Sequence, residues 1–210
     1  MSLFSKKLFG ALCLCTAALP LIASAADENK VSQSGFEFGA GVGGSQISAP
    51  GVFVPDRDLG GFTYTFFGGY RIAKWAAVEA SYLDGGDVSR EVLVAPNEAV
   101  KYKVEPRGAT VSGVGILPLG NFSLYARAGF AHWWYTDGFD FVQLPPPQPT
   151  VRENFSQTAN APIWGGGVSL YFDRGLLRLE YDQSKANGTV GGLPLDLKIR
   201  MLTLQVAWLL

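Results

Sequence analysis

The sequence predicts an all-β fold, an eight-stranded antiparallel up-and-down transmembrane β-barrel, and three observations carry that prediction. Of the 210 residues only 17% are charged, while 48% are hydrophobic, 13% aromatic and 26 are glycine, a balance suited to β-structure in apolar surroundings. Eight segments alternate with period two between apolar residues and small or polar ones. The connections between these segments alternate short and long. Charge narrows the function classes as well: 17 basic against 18 acidic groups lack the basic excess of a nucleic-acid binder, so no nucleic-acid partner is expected.

The first 25 residues read as a targeting segment. Lys6 and Lys7 make a positive n-region, Leu8 through Ala18 an apolar stretch, and Ala23-Ser24-Ala25 an A-x-A cleavage site. The expected organisation is therefore a secretory signal peptide over 1–25 and an outer-membrane β-barrel domain over 26–210. Pro20 and the small residues after it argue against an uncleaved membrane anchor, and Leu12 and Leu14 before Cys13 and Cys15 do not fit a lipoprotein signal. Both cysteines leave with the signal, so the mature chain is expected to hold no disulfide, thiol nucleophile or cysteine metal site. Removing Lys6 and Lys7 from the 17 basic groups, with all 18 acidic groups retained, leaves a net charge of −3.

The mature chain has no amphipathic helix of useful length and no apolar run near the ~20 residues of a membrane helix. In order, Phe36, Phe38, Ala40 and Val42 alternate with Glu37, Gly39, Gly41 and Gly43. Phe62, Tyr64, Phe66, Gly68 and Tyr70 then alternate with Thr63, Thr65, Phe67, Gly69 and Arg71. Ala76, Val78, Ala80 and Tyr82 oppose Ala77, Glu79 and Ser81. The fourth segment, about 102 to 117, is irregular: Lys101, Lys103, Glu105 and Arg107 share one parity, and Thr110 and Ser112 fall on the other. A bulge near Pro106 to Gly108 is expected to reset its alternation. Leu124, Ala126, Ala128 and Phe130 oppose Ser123, Tyr125, Arg127 and Gly129. Trp164, Val168, Leu170 and Phe172 oppose Gly165, Gly167, Ser169 and Tyr171. Leu177, Leu179 and Tyr181 oppose Arg178, Glu180 and Asp182, and last Leu202, Leu204, Val206, Trp208 and Leu210 oppose Thr203, Gln205 and Ala207.

Tight turns are expected at Ile72 to Trp75, Pro118 to Asn121 and Asp173 to Gly175. Long loops are expected at Ser48 to Gly60, Asp84 to Val100, Asp137 to Asn160 (with the stiff Pro145-Pro146-Pro147 run) and Lys185 to Leu195. Short turns at one end and long loops at the other are the layout of an outer-membrane barrel. Alternation alone does not separate such a barrel from a soluble lipocalin-like carrier; the composition of the second parity does. It is dominated by Gly, Ser, Ala and Thr, which suit the cramped interior of eight strands. The apolar parity carries no charge, as a lipid-facing band requires, because a mid-bilayer Arg or Lys costs about 2–4 kcal/mol. Tyr64, Tyr70, Tyr82, Trp134, Trp164, Tyr181 and Trp208 are candidates for the aromatic girdles.

The stretches GYRIAKWAAVEASYLDGG, ILPLGNFSLYARAGFAHWWY and APIWGGGVSLYFDRGLLRLEYDQS, with the terminus MLTLQVAWLL, together resemble the OmpA-type outer-membrane β-barrel family. The resemblance covers nearly all of the mature chain and implies an up-and-down barrel in a Gram-negative outer membrane. Its implied partners are outer-membrane lipid and lipopolysaccharide, and the barrel assembly machinery through the C-terminal strand. Two departures stand out: the chain ends at the barrel, without the periplasmic peptidoglycan-binding domain of OmpA, and Leu210 stands where the family usually closes with an aromatic.

Glu37, Glu79, Arg127, Arg178 and Glu180 fall on the inward parity and form the candidate site, a polar network in the barrel interior. In the resembling family, inward Arg and Glu at the Arg127, Arg178 and Glu180 positions make such a network. Two readings stand: opposite charges closing a solid core, or the lining of a small ion-conducting pore. His132, the single histidine, lies toward the outer end of its strand beside Trp133 and Trp134, an interface position. The lipid A deacylases resemble this layout, but Trp134 stands where the serine of their His-x-Ser motif would be, so no enzyme is expected. No catalytic residue, metal or cofactor is expected, and the Gly-rich stretches read as small residues inside a barrel rather than nucleotide loops. The long loops carry mixed charge with the apolar Val52, Phe53, Phe139, Phe141 and Val142, and two readings stand: ordinary solvated loops, or a surface that binds host or phage proteins.

Overall fold

The computed structural model describes residues 35–48, 59–95, 98–143, 151–172, 174–190 and 193–210. The expected signal peptide, Val52, Phe53 and the proline run at 145–147 lie outside them, as do the side chains of Phe139, Phe141 and Val142.

Nine strands are described: β1 (Gly35–Ser48), β2 (Leu59–Ala73), β3 (Ala76–Asp84), β4 (Val88–Ala95), β5 (Glu98–Leu119), β6 (Phe122–Gln143), β7 (Val151–Phe172), β8 (Gly175–Val190) and β9 (Leu193–Leu209). Every neighbouring pair is antiparallel, and β1 pairs with both β2 and β9, which closes the sheet. β3 and β4 occupy one place in the barrel: both pair with β5, β3 along Arg107–Gly115 and β4 along Glu98–Val104. The result is the expected closed eight-stranded barrel with its third strand interrupted. Closure satisfies the wall's backbone groups within the sheet, the condition for crossing a bilayer in strands.

The three tight turns are as expected. Leu119 pairs with Phe122 across a two-residue loop, where Gly120 takes a φ of 69°, the left-handed region hairpins of this length use. Lys74–Trp75 and the connection before Gly175 close the other two hairpins.

The seven regular alternations face as the sequence indicates. Phe36, Phe62, Phe66, Val111, Phe130, Leu179 and Leu202 are exposed outward, whereas Glu37, Thr63, Thr65, Ser112, Arg127, Arg178 and Thr203 are buried inward. The named aromatics form two belts. Tyr64, Tyr82, Trp134, Trp164 and Tyr181 stand at the loop end of the apolar band, Tyr70 and Trp208 at the turn end.

The fourth segment differs from expectation. Burial alternates without a break from Val104 through Pro106, Gly108, Thr110, Ser112 and Val114 to Ile116, and the register with β6 is constant from Glu98 to Leu119. No bulge interrupts β5. The irregularity sits in its neighbour, at Gly85–Asp87. The Pro106 carbonyl accepts from the Gly85 amide at 2.8 Å, so the side on which proline lacks an N–H faces the interruption rather than β6. Asp84 Oδ1 accepts from the Gly86 amide at 2.9 Å, and Gly86 takes a φ of 70°. Ser45 Oγ donates to the Gly85 carbonyl at 2.7 Å, pinning the break to β1.

The long loops are shorter than expected. β4 and the start of β5 fill most of 84–100, β6 and β7 extend to Gln143 and from Val151, and β8 and β9 reach Val190 and Leu193. β5, β6 and β7 have 22 residues each, about twice the ~9–11 that cross a bilayer. Over the surplus length the polarity of the wall inverts. Outside stand Lys103, Glu105, Arg107, Thr136, Thr158, Lys185 and Asn187. Inside, Val104, Trp133, Tyr135, Ala159, Ala161, Ile163, Leu197 and Ile199 are buried in one apolar cluster. A lipid-facing wall is apolar outward, and a water-facing extension must bury its apolar side chains inward; both hold here in one unbroken register.

Candidate site in the barrel interior

Toward the turn end the lumen is filled by charge. Glu37 comes from β1, Arg71 from β2, Glu79 from β3, Arg127 from β6, and Arg178, Glu180 and Asp182 from β8, all buried. Each holds an inward position because alternation sends every second side chain to the interior. The five predicted residues meet directly.

Arg127 is the hub of one half. Its Nη1 donates to Glu79 Oε1 at 2.8 Å and to Glu180 Oε1 at 3.1 Å, and its Nε lies 3.2 Å from Asp182 Oδ1. Arg178 is the hub of the other: Nη1 donates to Glu79 Oε2 at 2.7 Å and Nη2 to Glu37 Oε1 at 3.1 Å. Glu79 is thereby shared by both guanidiniums, so a carboxylate on β3 is tied across the lumen to β6 and β8. The Arg178 guanidinium also stacks between the rings of Phe67 and Tyr125, at 4.7 and 4.8 Å.

Residues outside the predicted five complete the network. Tyr125 OH donates to Glu180 Oε2 at 2.7 Å and Gln205 Nε2 to Glu180 Oε1 at 2.8 Å. Arg71 Nη2 donates to Tyr171 OH at 2.9 Å and to Glu37 Oε2 at 3.4 Å. All five of Arg71, Tyr125, Tyr171, Asp182 and Gln205 lie on the inward parity, so parity was the signal that could have found them. Glycine supplies the room: a Cβ on Gly165 would collide with Asp182, and one on Gly167 would lie 2.9 Å from Tyr125 OH.

Above this layer, Ser81 Oγ and Thr110 Oγ1 share a hydrogen bond of 2.5 Å, and Thr63 Oγ1 donates to the Asp84 carbonyl at 2.6 Å. The apolar cluster follows, centred on the fully buried Trp133, whose Nε1 donates to Ser184 Oγ at 3.0 Å. The interior is thus two stacked plugs, ionic below and apolar above. His132 is not part of either. It sits on the outer face, with Nδ1 2.6 Å from Asn160 Oδ1 and its ring edge-on to Trp134 at 4.8 Å.

Residues 11–208 match the family described as outer membrane protein beta-barrel domain. Among solved structures the chain is similar to neisserial surface protein A (NspA), at 17% identity and a TM-score of 0.53, over 83% of this chain and 97% of that one. It is similar to the outer membrane protein OprG from Pseudomonas aeruginosa at 9% identity and a TM-score of 0.50, over 84% and 97% of the two chains. The N-terminal β-barrel domain of Pseudomonas aeruginosa OprF aligns at 14% identity with a TM-score of 0.49, over 85% and 98%. No curated protein sequence matches. At these identities the likeness is one of fold, but the family match spans nearly the whole sequence: the chain belongs to the outer membrane protein beta-barrel family and resides in the outer membrane of a Gram-negative bacterium.

Proposed function

We propose that the protein is a non-enzymatic, closed barrel that contributes to envelope integrity and presents its extracellular end for surface contacts. The observation that carries this reading is the interior: Arg127 and Arg178 bind Glu79, Glu180 and Glu37 across the lumen, leaving the charges engaged with one another rather than lining a water column. The position of His132 on the outer face, away from the interior carboxylates, supports the non-enzymatic part. Export by the signal segment over 1–25, insertion through β9 by the barrel assembly machinery, and contact with lipopolysaccharide belong to the same proposal.

A strain lacking the gene tests it. Increased uptake of a large hydrophobic dye, restored by the wild-type chain, is the expected result. Unchanged dye uptake together with altered lipid A masses would overturn the reading in favour of an enzyme.

A further inference from the structure

The wall of the barrel is not zipped to its top. β7 pairs with β6 in one constant register from Val151 to Leu170, whereas its pairing with β8 ends at Ile163 opposite Ser184. β8 itself runs on, paired with β9 as far as Val190. Among the described residues no strand pairs with the β8 side of β7 over 151–161. The cause stands at the foot of this seam. The Pro162 carbonyl accepts from Ser184 Oγ at 3.0 Å, so the backbone of Pro162 points toward β8, where proline has no N–H with which to carry the ladder on.

Strand alternation fixes what the seam exposes. The Tyr171 amide donates to the Asn121 carbonyl at 2.8 Å on the β6 side, so odd-numbered residues of β7 turn their backbone groups to β6, and even-numbered ones, Pro162 among them, to β8. The N–H and C=O of Arg152, Asn154, Ser156, Thr158 and Asn160 therefore line a free edge and repeat about every 6.8 Å, two residues of strand rise. A row of paired donors and acceptors at that spacing is matched by another extended backbone, not by a sugar or a lipid. The edge stands above Trp164, on the water-facing extension: Ser156, Thr158 and Asn160 are exposed outward, and Ala159 and Ala161 are buried inward. None of these five side chains is charged, so the usual protection of an edge is missing along them.

We propose that the free edge of β7 docks an extended segment of a partner protein as an added antiparallel strand. The segment it fits alternates apolar and polar residues, the apolar ones turned to the cluster that holds Ala159 and Ala161 and the polar ones outward beside Thr158 and Asn160. A second copy in the same membrane fits worse, because its β7 runs in the same direction and antiparallel pairing is the more stable. This edge gives a mode to the surface contacts proposed above and rests on that reading; peptide binding in vitro and dye uptake in cells fail independently of each other.

The test uses the full mature chain in phosphatidylcholine nanodiscs and follows amide exchange residue by residue. The probe is a synthetic peptide of alternating valine and threonine with a lysine at each end; a control peptide is N-methylated at every other residue, which removes its pairing donors. Without peptide, the amides of Ser156, Thr158 and Asn160 should exchange at least about tenfold faster than those of Gln157, Ala159 and Ala161, which face β6. Saturating probe should slow the three fast amides at least about tenfold and leave the other three unchanged, and the N-methylated control should slow none. Ser156→Pro/Thr158→Pro removes two donors from the free edge and none from the β6 ladder, so it should keep the heat-modifiable gel shift and lose the response at Asn160. Ser156→Ala/Thr158→Ala, with the backbone donors intact, should keep that response. The N-methylated control decides the matter even where the proline variant folds poorly. Slow exchange of the even-numbered amides without peptide, slowing that grows with protein concentration alone, no slowing by the probe, or equal slowing by its N-methylated form would each overturn the proposal.

Discussion

Arg127 holds Glu79, Glu180 and Asp182 from one inward position, and its removal would leave those carboxylates buried without their shared cation. Breaking a buried ion network from one side costs about 3–5 kcal/mol, far more than the intact network contributes over an apolar filling. Arg127→Met is expected to lose that amount in urea unfolding from phosphatidylcholine vesicles. Trp133 anchors the other plug, and Trp133→Ala is expected to cost about 3–5 kcal/mol in the same assay through the cavity it opens. Surface charge behaves differently. The hydrogen bond from Lys103 holds Asp87 below the usual carboxylate range, so the contribution of this pair is present above the unfolded-state pKa. It is lost as pH falls through the lower folded-state value. Both side chains are well exposed, so Asp87→Asn should change stability by less than about 1 kcal/mol at neutral pH and by nothing in acid, read from unfolding midpoints across a pH series.

The strand ends carry the largest difference between expectation and structure. Lys101 to Arg107 lose the apolar outward parity, and in the sequence that looks like the irregular half of a strand reset by a bulge. Pairing nevertheless continues, because the inward residues Val104, Tyr135 and Trp133 supply a core once the wall leaves the lipid. Period two survives while the meaning of its two faces is exchanged, and parity alone does not reveal at which residue the bilayer ends. The break in the third strand is similarly hidden: Gly85-Gly86 falls in the expected long loop from Asp84 to Val100, whereas in the structure it answers Pro106 of the neighbouring strand. Amide exchange tests these elements. The backbone amides of Tyr135–Gln143, and those of Val151–Ala159 that face β6, are expected to be protected to a degree comparable with the membrane-embedded strands; exchange at the rate of open loops would contradict the paired extension. At the break, Gly86→Ala should cost about 1–3 kcal/mol, seen as a lower temperature of heat modification on gels, since the left-handed φ disfavours a Cβ that would also meet the Phe62 carbonyl.

At the scale of the whole molecule, the barrel was legible because closure, alternation and turn spacing are all local patterns repeated eight times. The interior was legible in part. Glu37, Glu79, Arg127, Arg178 and Glu180 stand out as charges on an otherwise small-residue parity, but which carboxylate meets which guanidinium depends on the shear of the closed sheet. Arg71 and Asp182 are the last inward residues of their alternating segments as the sequence shows them, where a charge also suits a rim, although Asp182 stands in the middle of β8. The apolar plug had no sequence signal of its own, since its residues come from seven strands and only the closed wall brings them together. The two plugs, stacked along the axis, lead to the central claim that this barrel is shut. Single-channel recording of the full mature chain in planar bilayers measures that directly. The account predicts no conductance steps above the bare bilayer at any voltage the membrane withstands. Reproducible stepwise openings in the wild type, abolished or resized by Arg127→Ala, would contradict it.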